Sequence, residues 1–320
     1  RQSQLFSSIK QAPSAHKIPY DFTKKSLVCH DMWYNKNHEM EVCMNLSEIR
    51  AQARTIRNQT NSIFSLFAIP TLVTILSTYL SPNRHLEEII PQLEINQAFV
   101  VIFGRQIFPQ IVEFIIALLF LSASFSMMEV VRKKRDTVGF TDIGRIFSAE
   151  LFSPIFITQL TKSILLLLWN SISLVGSFFL VFSSYKVLAI YGKISDVSQL
   201  TAASPEVEQI VSYAPMMFLG TLIVLAGTAV FLMANYAYSQ TDFILYDQLS
   251  TGTYQGPWQV LVQSRRMMKG YKWKRFLLDL SFIGWYILIG ITLGIAGVVA
   301  YPYITTARVL FYENLKSLGK

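Results

Sequence analysis

The chain alternates between long runs of apolar residues and short segments that carry most of its charge. Because a helix rises 1.5 Å per residue, apolar blocks of about 20 residues match the roughly 30 Å hydrocarbon core of a bilayer. The last apolar block is about twice that length and has small residues such as Gly290, Gly294 and Gly297 at its middle, so we expect it to cross twice. The pattern thus predicts six membrane-spanning helices, at residues 63–80, 109–131, 154–182, 213–236, 276–291 and 295–315.

The positions of Lys and Arg predict the orientation of these spans, because cytoplasmic segments are enriched in both residues. The segments 45–61, 132–153, 237–275 and 308–320 hold three, five, six and three of them, whereas the predicted outer loops 81–108 and 183–212 hold two each. The bias predicts a multi-pass protein of the cell membrane with both termini in the cytoplasm. The fold class is then all-α, a polytopic bundle of six transmembrane helices.

Three of the predicted inner segments have helical patterns of their own. A helix is expected over 47–61, with Ser47 as its N-cap. Two further segments show amphipathic periodicity and are predicted to be interfacial helices on the cytoplasmic side. One has an apolar face made of Phe140, Ile143, Ile146, Phe147 and Leu151. The other begins at Pro257, and its apolar arc of Val260, Leu261, Met267, Met268 and Tyr271 lies opposite Arg265, Arg266, Lys269 and Lys272.

Composition supports a membrane protein and argues against other classes. Hydrophobic residues make up 52% of the chain and charged residues 15%, against about 25% charged in soluble domains. The net charge of +8 is divided among separate connecting segments, whereas a nucleic-acid-binding domain gathers it in one patch. We therefore expect no nucleic-acid partner.

Residues 1–43 are polar and lack helical or strand periodicity. They are interpreted as a disordered extension or as residues upstream of a true start at Met44, which leaves 44–320 as a single membrane domain. Cys29 and Cys43 are expected to be reduced thiols. Together with His30 and His38 they form four possible zinc ligands, but their spacing matches no common zinc motif, so no metal is expected.

The C-terminal part of the chain also resembles a known family. The string from Met268-Lys269-Gly270 through Leu280-Ser281-Phe282-Ile283-Gly284-Trp285, then Thr292-Leu293-Gly294, Pro302-Tyr303 and Phe311-Tyr312-Glu313, resembles bacterial integral membrane proteins catalogued as domain of unknown function 975. The segment Asn45-Leu46-Ser47-Glu48-Ile49-Arg50 is similar to the opening of that family. The resemblance implies a polytopic protein of the cytoplasmic membrane and assigns no chemistry.

Ionisable residues inside spans are candidate functional residues, because charge is costly in lipid. The candidates are Asp279, Arg275, Lys162 and Glu113. Asp279 stands out because its short side chain cannot reach far, and Arg275 lies four residues earlier on the same helical face. A structural ion pair of Asp279 with Arg275 or Lys162 is favoured over a proton relay.

The sequence contains none of the common nucleotide-binding, zinc-protease or serine-hydrolase motifs, so a non-enzymatic protein without a cofactor is expected. The first hypothesis is a protein that binds anionic lipid or a partner protein at the inner leaflet. Its candidate contacts are Arg265, Arg266, Lys269, Lys272, Arg132, Lys133, Lys134 and Arg135. The alternative is a transporter or export-accessory subunit that moves a small molecule or lipid between the later spans.

Overall fold

The structure is a computed structural model that describes residues 44–80, 95–192 and 204–319, and its regular elements in these ranges are helices. The tail cysteines and histidines considered as zinc ligands lie outside the described residues. The α-helices are α1 Leu46–Gln59, α2 Ile63–Leu80, α3 Ile95–Val131, α4 Ala149–Tyr191, α5 Pro205–Ser212, α6 Ala214–Ala237, α7 Thr241–Thr251, α8 Pro257–Met267, α9 Lys272–Leu280, α10 Ile283–Ile291 and α11 Gly297–Ser317, and a 3₁₀ helix covers Phe140–Phe147.

The first helix lies where the sequence predicts it, but it is capped two residues earlier. Asn45, not Ser47, is the N-cap of α1, and its side chain accepts hydrogen bonds from the backbone N–H groups of Ser47 and Glu48 at 3.0 and 3.4 Å. An asparagine side chain supplies the same kind of acceptor as a serine hydroxyl. The sequence places two good capping residues close together, so the pattern alone does not decide between them.

Three helical stretches are long and apolar enough to cross a membrane: Ile111–Val131, Ala149–Leu188 and Pro205–Thr251. The apolar windows of the last two are only 11% buried within the protein. Side chains such as Leu168, Phe178 and Leu225 point away from the rest of the molecule. An apolar surface of this extent requires an apolar solvent, so the chain has the surface of a multi-pass membrane protein.

The two predicted outer loops, 81–108 and 183–212, contain helical residues that were predicted to be loop. Residues 97–108, at the end of the outer loop predicted at 81–108, belong to the first part of α3, which begins at Ile95. The outer loop predicted at 183–212 is also partly helical, because α4 continues to Tyr191 and α5 covers Pro205–Ser212. Helix α4 has 43 residues and is therefore about 65 Å long. The predicted span ends at the first polar residues, and these do not stop a helix.

Helices α4 and α6 form a close pair held together by small residues. A Cβ atom added at Gly227 would lie 2.5 Å from the backbone nitrogen of Ser173, and one at Gly176 would lie 2.7 Å from the backbone nitrogen of Val224. Such distances show that the two backbones are nearly in contact, which is the packing that small residues permit between membrane helices. The outer surfaces of this pair remain apolar and exposed.

The C-terminal apolar block reverses direction where the sequence predicts. Helix α10 ends at Ile291, and the turn has Leu293 and Gly294 at positive φ, 51° and 97°. After the turn, Phe282 packs on Tyr303 with ring centroids 5.1 Å apart, and Asp279 contacts Arg308. Positions early in the segment before the turn therefore contact positions late in the segment after it, so the two segments run antiparallel. The predicted fifth span is interrupted, because α9 ends at Leu280 and α10 begins at Ile283.

Helix α11 lies at the centre of the molecule. It packs against α1, α2 and α3, and nearly all its side chains between Pro302 and Tyr312 are buried. Phe311 and Leu315 are fully inaccessible. Further core side chains come from α7, α8 and the 3₁₀ helix, and others from α4 and α9. This core joins the segments that the sequence places at the inner face, and it fixes the position of the charged side chains among them.

Candidate functional site

The basic run that follows α3 begins with an arginine that ties three helices together. Arg132 donates hydrogen bonds to Asp247 of α7 at 2.5 Å and to Glu313 of α11 at 2.8 Å. The same aspartate accepts hydrogen bonds from Tyr312 at 2.7 Å and from Lys316 at 2.6 Å. We call these five residues the Arg132 cluster. It joins the ends of α3 and α11 through one carboxylate on α7.

Electrostatics keep this arginine charged. Burial alone would lower the pKa of Arg132, but its hydrogen bond with Asp247 and the nearby charge of Glu313 raise that pKa above its ordinary value. A guanidinium with two carboxylate partners is held in place by charge-assisted hydrogen bonds. Arg132 therefore acts as a fixed cation inside the protein, and it is not free to contact a lipid headgroup.

A second set of charges surrounds Glu129, one turn earlier on α3. Arg145 of the 3₁₀ helix donates two hydrogen bonds to this buried carboxylate, at 2.7 and 3.0 Å, and the Tyr246 hydroxyl donates a third at 3.1 Å. The hydrogen bond with Glu129 raises the pKa of Arg145. This bidentate geometry is the strong form of an arginine–carboxylate pair. We call Glu129, Arg145, Tyr246, Arg135 and Asp142 the Glu129 cluster.

The rest of the Glu129 cluster fixes the loop after α3. Arg135 donates two hydrogen bonds to Asp142, at 2.9 and 3.0 Å, and a further one to Glu129 at 3.3 Å. Asp142 also accepts the backbone N–H of Gly139 at 2.8 Å. The 3₁₀ helix is thus held by ionic contacts at both ends. Arg132 and Arg135, both from the basic run, are engaged within the protein.

A small cavity of about 40 Å³ lies beside the Glu129 carboxylate. Its polar lining includes Ser122, Ser126 and Ser250 together with Arg145 and Tyr246. The volume exceeds the 10–15 Å³ that one water needs, and the lining offers several hydrogen-bonding groups. The cavity is suited to bound water. It lies near the end of α3, next to the basic run, and not along the middle of the helix.

The third ionic site joins α9 to α11. Asp279 Oδ1 lies 3.1 Å from Arg308 Nη2 and 3.5 Å from Arg275 Nη2, so the i,i+4 pair that the sequence favours is present with an additional arginine. Lys162 pairs instead with Asp242, at 3.0 Å. Glu113, the remaining intramembrane candidate, lies on the exposed side of α3.

Helices α8 and α9 and the turn between them expose both cations and tryptophans. Arg265, Arg266 and Lys269 are exposed, and the flanking Trp258 and Trp273 are 62% and 66% exposed. We call these five residues the basic face. They are exposed because the opposite side of α8 is buried: its apolar residues Val260, Leu261, Met267 and Met268 are all in the protein core.

The burial of their apolar residues changes the interpretation of both predicted interfacial helices. The apolar arc of α8, expected to dip into lipid, packs against the protein. In the 3₁₀ helix, Ile143 and Ile146 are buried in the same way, whereas Phe140 and Phe147 are exposed. Amphipathic periodicity alone does not distinguish a helix that rests on lipid from one that rests on its own protein.

Several important residues of the ionic clusters are absent from the candidates chosen from the sequence. They are Glu129, Asp142, Arg145, Asp242, Asp247 and Glu313. A signal was present, because the five acids among them lie in or beside segments rich in Lys and Arg. Among the predicted lipid contacts, Lys133 and Lys134 are exposed and Lys272 is half-buried.

A family model described as "Protein of unknown function (DUF975)" matches residues 42–319 of the chain. No curated protein matches the chain. No solved structure matches it either. The family match covers all the described helices, and with them the Arg132 cluster, the Glu129 cluster, the Asp279 pair and the basic face.

Proposed function

The chain belongs to the family described as "Protein of unknown function (DUF975)", and from that premise we propose that it is a non-enzymatic, multi-pass membrane protein whose basic face binds anionic lipid at the inner leaflet. The family description assigns no activity. The proposal therefore depends on the residues of this chain, and above all on the basic face of α8 and α9.

The observation that supports the proposal most strongly is the exposure of Trp258 and Trp273 beside three exposed cations. Tryptophan is enriched where membrane meets water, because its ring is apolar and its N–H needs a polar partner. Each Lys or Arg near an anionic bilayer surface contributes about 1 kcal/mol of attraction. A surface that combines both residue types fits the headgroup region of an anionic leaflet.

We further propose six crossings with both termini in the cytoplasm. Contacts support this topology, because the Arg132 cluster joins the end of α3 to α7 and to the end of α11. Segments that meet in one ionic cluster lie at the same end of the bundle. These are the segments richest in Lys and Arg, so the positive-inside bias assigns that end to the cytoplasm.

A non-enzymatic role agrees with the state of the described buried carboxylates. Glu129, Asp142 and Asp247 each accept hydrogen bonds from arginine. A carboxylate used in this way stabilises structure and is a poor general base, because a base must accept a proton from a substrate. The clusters therefore act as ties between helices.

The transporter alternative receives less support from the described cavities. A coupled transporter binds its substrate near the bilayer midplane, between broken helices. The cavity beside Glu129 lies near the inner end of α3 and has a volume of about 40 Å³, which suits water better than a solute. The break between α9 and α10 is the feature that agrees with the alternative.

Quenching of tryptophan fluorescence by brominated lipids tests the proposal on the full chain. One variant keeps Trp258 and has the other four tryptophans replaced by Phe. It is reconstituted into bilayers of a neutral lipid to which a fixed fraction of either brominated phosphatidylglycerol, which is anionic, or brominated phosphatidylcholine, which is neutral, is added. We expect stronger quenching by the anionic lipid. The triple variant Arg265→Gln, Arg266→Gln and Lys269→Gln is expected to abolish that preference.

A second single-tryptophan variant serves as the control. Trp169 lies on the exposed apolar surface of α4, so brominated anionic and neutral lipids should quench it equally. Equal quenching of Trp258 by the two lipids, or a preference that survives the three substitutions, would contradict the proposal. Quenching of Trp169 but not of Trp258 by either lipid would show that the basic face does not contact lipid, and it would leave that face available to a partner protein.

A further inference from the structure

The Asp279 site has more positive charge than its acid can neutralise. Two guanidinium groups, from Arg275 and Arg308, approach the same carboxylate oxygen of Asp279, at 3.5 and 3.1 Å. The formal charge of the three groups is +1. Opposite charges that are removed from water are usually balanced, because an uncompensated buried charge is costly. The site is therefore one negative charge short of neutrality.

Unused hydrogen-bond donors accompany the excess charge. Arg275 is only 4% exposed, yet its Nε and Nη1 have no acceptor within the described part of the chain, and neither does Nε of Arg308. The phenol of Tyr286 accepts a hydrogen bond from Arg308 Nη2 at 3.2 Å, which leaves its own O–H available to donate. Buried donors in native structures nearly always have a partner, so these groups point to a ligand that accepts hydrogen bonds.

The site is open on one side. The Arg308 side chain is 38% exposed, and Tyr286 is also exposed, whereas Arg275 lies behind them against the ring of Phe311, at 5.7 Å. An anion can therefore reach Arg308 and Tyr286 from outside the protein. Arg275 would contribute charge from beneath without direct contact with solvent.

Packing of α2 against α11 places this opening at the membrane boundary. A Cβ added at Gly294 would lie 2.8 Å from Ile75, and one at Gly297 would lie 3.2 Å from Thr71, so the two helices run antiparallel in a known register. The first residue of α2, Ile63, then lies opposite about Thr305. Arg308 is thus level with the junction between polar α1 and apolar α2, where a headgroup phosphate would lie.

Exposed apolar side chains continue from the site at the end of α9 and along α10. Leu280, Ile283 and Ile287 are all exposed, and Ile283 and Ile287 flank Tyr286 on its helix. From these observations we infer that Arg308, Tyr286 and Arg275 form a site for the phosphodiester of one membrane phospholipid, whose acyl chains lie along α10. A singly charged phosphodiester balances the site, and a guanidinium can bind two of its oxygens.

This inference depends on the proposed function only in placing this end of the bundle at the inner leaflet. The basic face is a separate surface that attracts anionic lipid by total charge. The Asp279 site is specific for phosphate. Substitutions in the two places therefore have different effects, and the two ideas can fail independently.

Thermal stability of the purified, delipidated full chain in a detergent without phosphate provides the test. Dioleoylphosphatidylglycerol, dioleoylglycerol and inorganic phosphate are titrated separately, and the midpoint of unfolding is recorded. We expect a saturable increase with the phospholipid and none with dioleoylglycerol, which has the same acyl chains. An equal increase with dioleoylglycerol would overturn the phosphate site. An equal increase with inorganic phosphate at the same concentration would overturn the lipid assignment.

Substitutions at the site sharpen the test. Arg308→Gln leaves a neutral Arg275–Asp279 pair, and loss of a charged hydrogen bond should weaken phospholipid binding by on the order of tenfold or more. Asp279→Asn raises the formal charge of the site, so binding should tighten. Unchanged affinity in both variants would overturn the inference. Arg308→Lys retains the charge and provides a folded comparison if Arg308→Gln does not fold.

The triple variant of the basic face separates this inference from the proposed function. Arg265→Gln, Arg266→Gln and Lys269→Gln should leave the saturable effect of dioleoylphosphatidylglycerol on stability unchanged, because these residues do not contact Asp279 or Arg308. If the phospholipid no longer raised the midpoint of unfolding of the triple variant but still raised that of Arg308→Gln, phospholipid binding would be assigned to the basic face alone.

Discussion

Replacement of Asp247 by Asn should weaken the contacts among the end of α3, α7 and α11, which meet in the Arg132 cluster. The carboxylate accepts hydrogen bonds from Arg132 at 2.5 Å, Lys316 at 2.6 Å and Tyr312 at 2.7 Å. Asparagine has almost the same shape but no charge, and its amide nitrogen cannot accept a hydrogen bond. The substitution therefore removes the attraction with little change in packing volume.

The expected cost follows from the burial of the pair. The side chains of Arg132 and Asp247 are 17% and 16% exposed, and removal of one partner from a buried pair costs about 3–5 kcal/mol. Arg132 keeps its second partner, Glu313, and exposed Lys316 returns to solvent at little cost. We therefore expect a loss of about 2 kcal/mol, or roughly a 30-fold change in the equilibrium constant of unfolding.

Reversible unfolding in mixed micelles of a mild detergent and sodium dodecyl sulfate, followed by tryptophan fluorescence, measures this loss. Asp136→Asn is the matched control, because Asp136 is an exposed aspartate in the loop after α3 and should change stability by less than about 0.5 kcal/mol. If Asp247→Asn and Asp136→Asn unfold at the same detergent fraction, the Arg132 cluster does not stabilise the fold. A gain in stability would show that desolvation of the ion pair outweighs its attraction.

Two further predictions concern the long apolar helices. Gly227→Ala should destabilise the α4–α6 pair by about 1–3 kcal/mol, because the new Cβ would lie 2.5 Å from the backbone nitrogen of Ser173. The control Gly284→Ala has nothing within 4 Å of its new Cβ and should leave stability unchanged or raise it by up to about 1 kcal/mol. Equal effects of the two substitutions in the same unfolding assay would refute the close approach of the two helices. Asp242→Asn should cost about 1–2 kcal/mol by leaving Lys162 without its carboxylate, and Lys162→Met in the same chain should recover part of that loss. No recovery in the double variant would show that the pair does not act as a unit.

The positions of the helices could be predicted largely from hydrophobic blocks, because an apolar run long enough to cross a bilayer has few alternatives to a helix. The reversal near Gly294 was also predictable, since one helix cannot use the whole C-terminal block. The ends of α4 were not predictable in this way. Polar residues such as Ser183, Ser184 and Lys186 suggest a loop, but each is compatible with a continuing helix.

The ionic clusters were less accessible from sequence, because they depend on contacts between distant segments. From the sequence, Arg132 is a topology signal and a candidate lipid contact, whereas its partners in the fold, Asp247 and Glu313, lie more than 100 residues away. The pair of Arg275 and Asp279 could be predicted because four residues place them on one helical face. The contribution of Arg308 to that pair follows only from the reversal of the chain between α10 and α11.

The central claim, that the ionic clusters and the basic face lie on the cytoplasmic side, is tested most directly by accessibility of a cysteine at the end of α11. Ser317 is exposed at that end, and Gln209 is exposed on α5, which the six-span topology places outside. Each is replaced by cysteine in a chain whose Cys29 and Cys43 are replaced by serine, and intact cells are treated with a membrane-impermeant thiol reagent. We expect labelling of Gln209→Cys in intact cells and of Ser317→Cys only after the membrane is permeabilised. Labelling of Ser317→Cys from outside intact cells would contradict it.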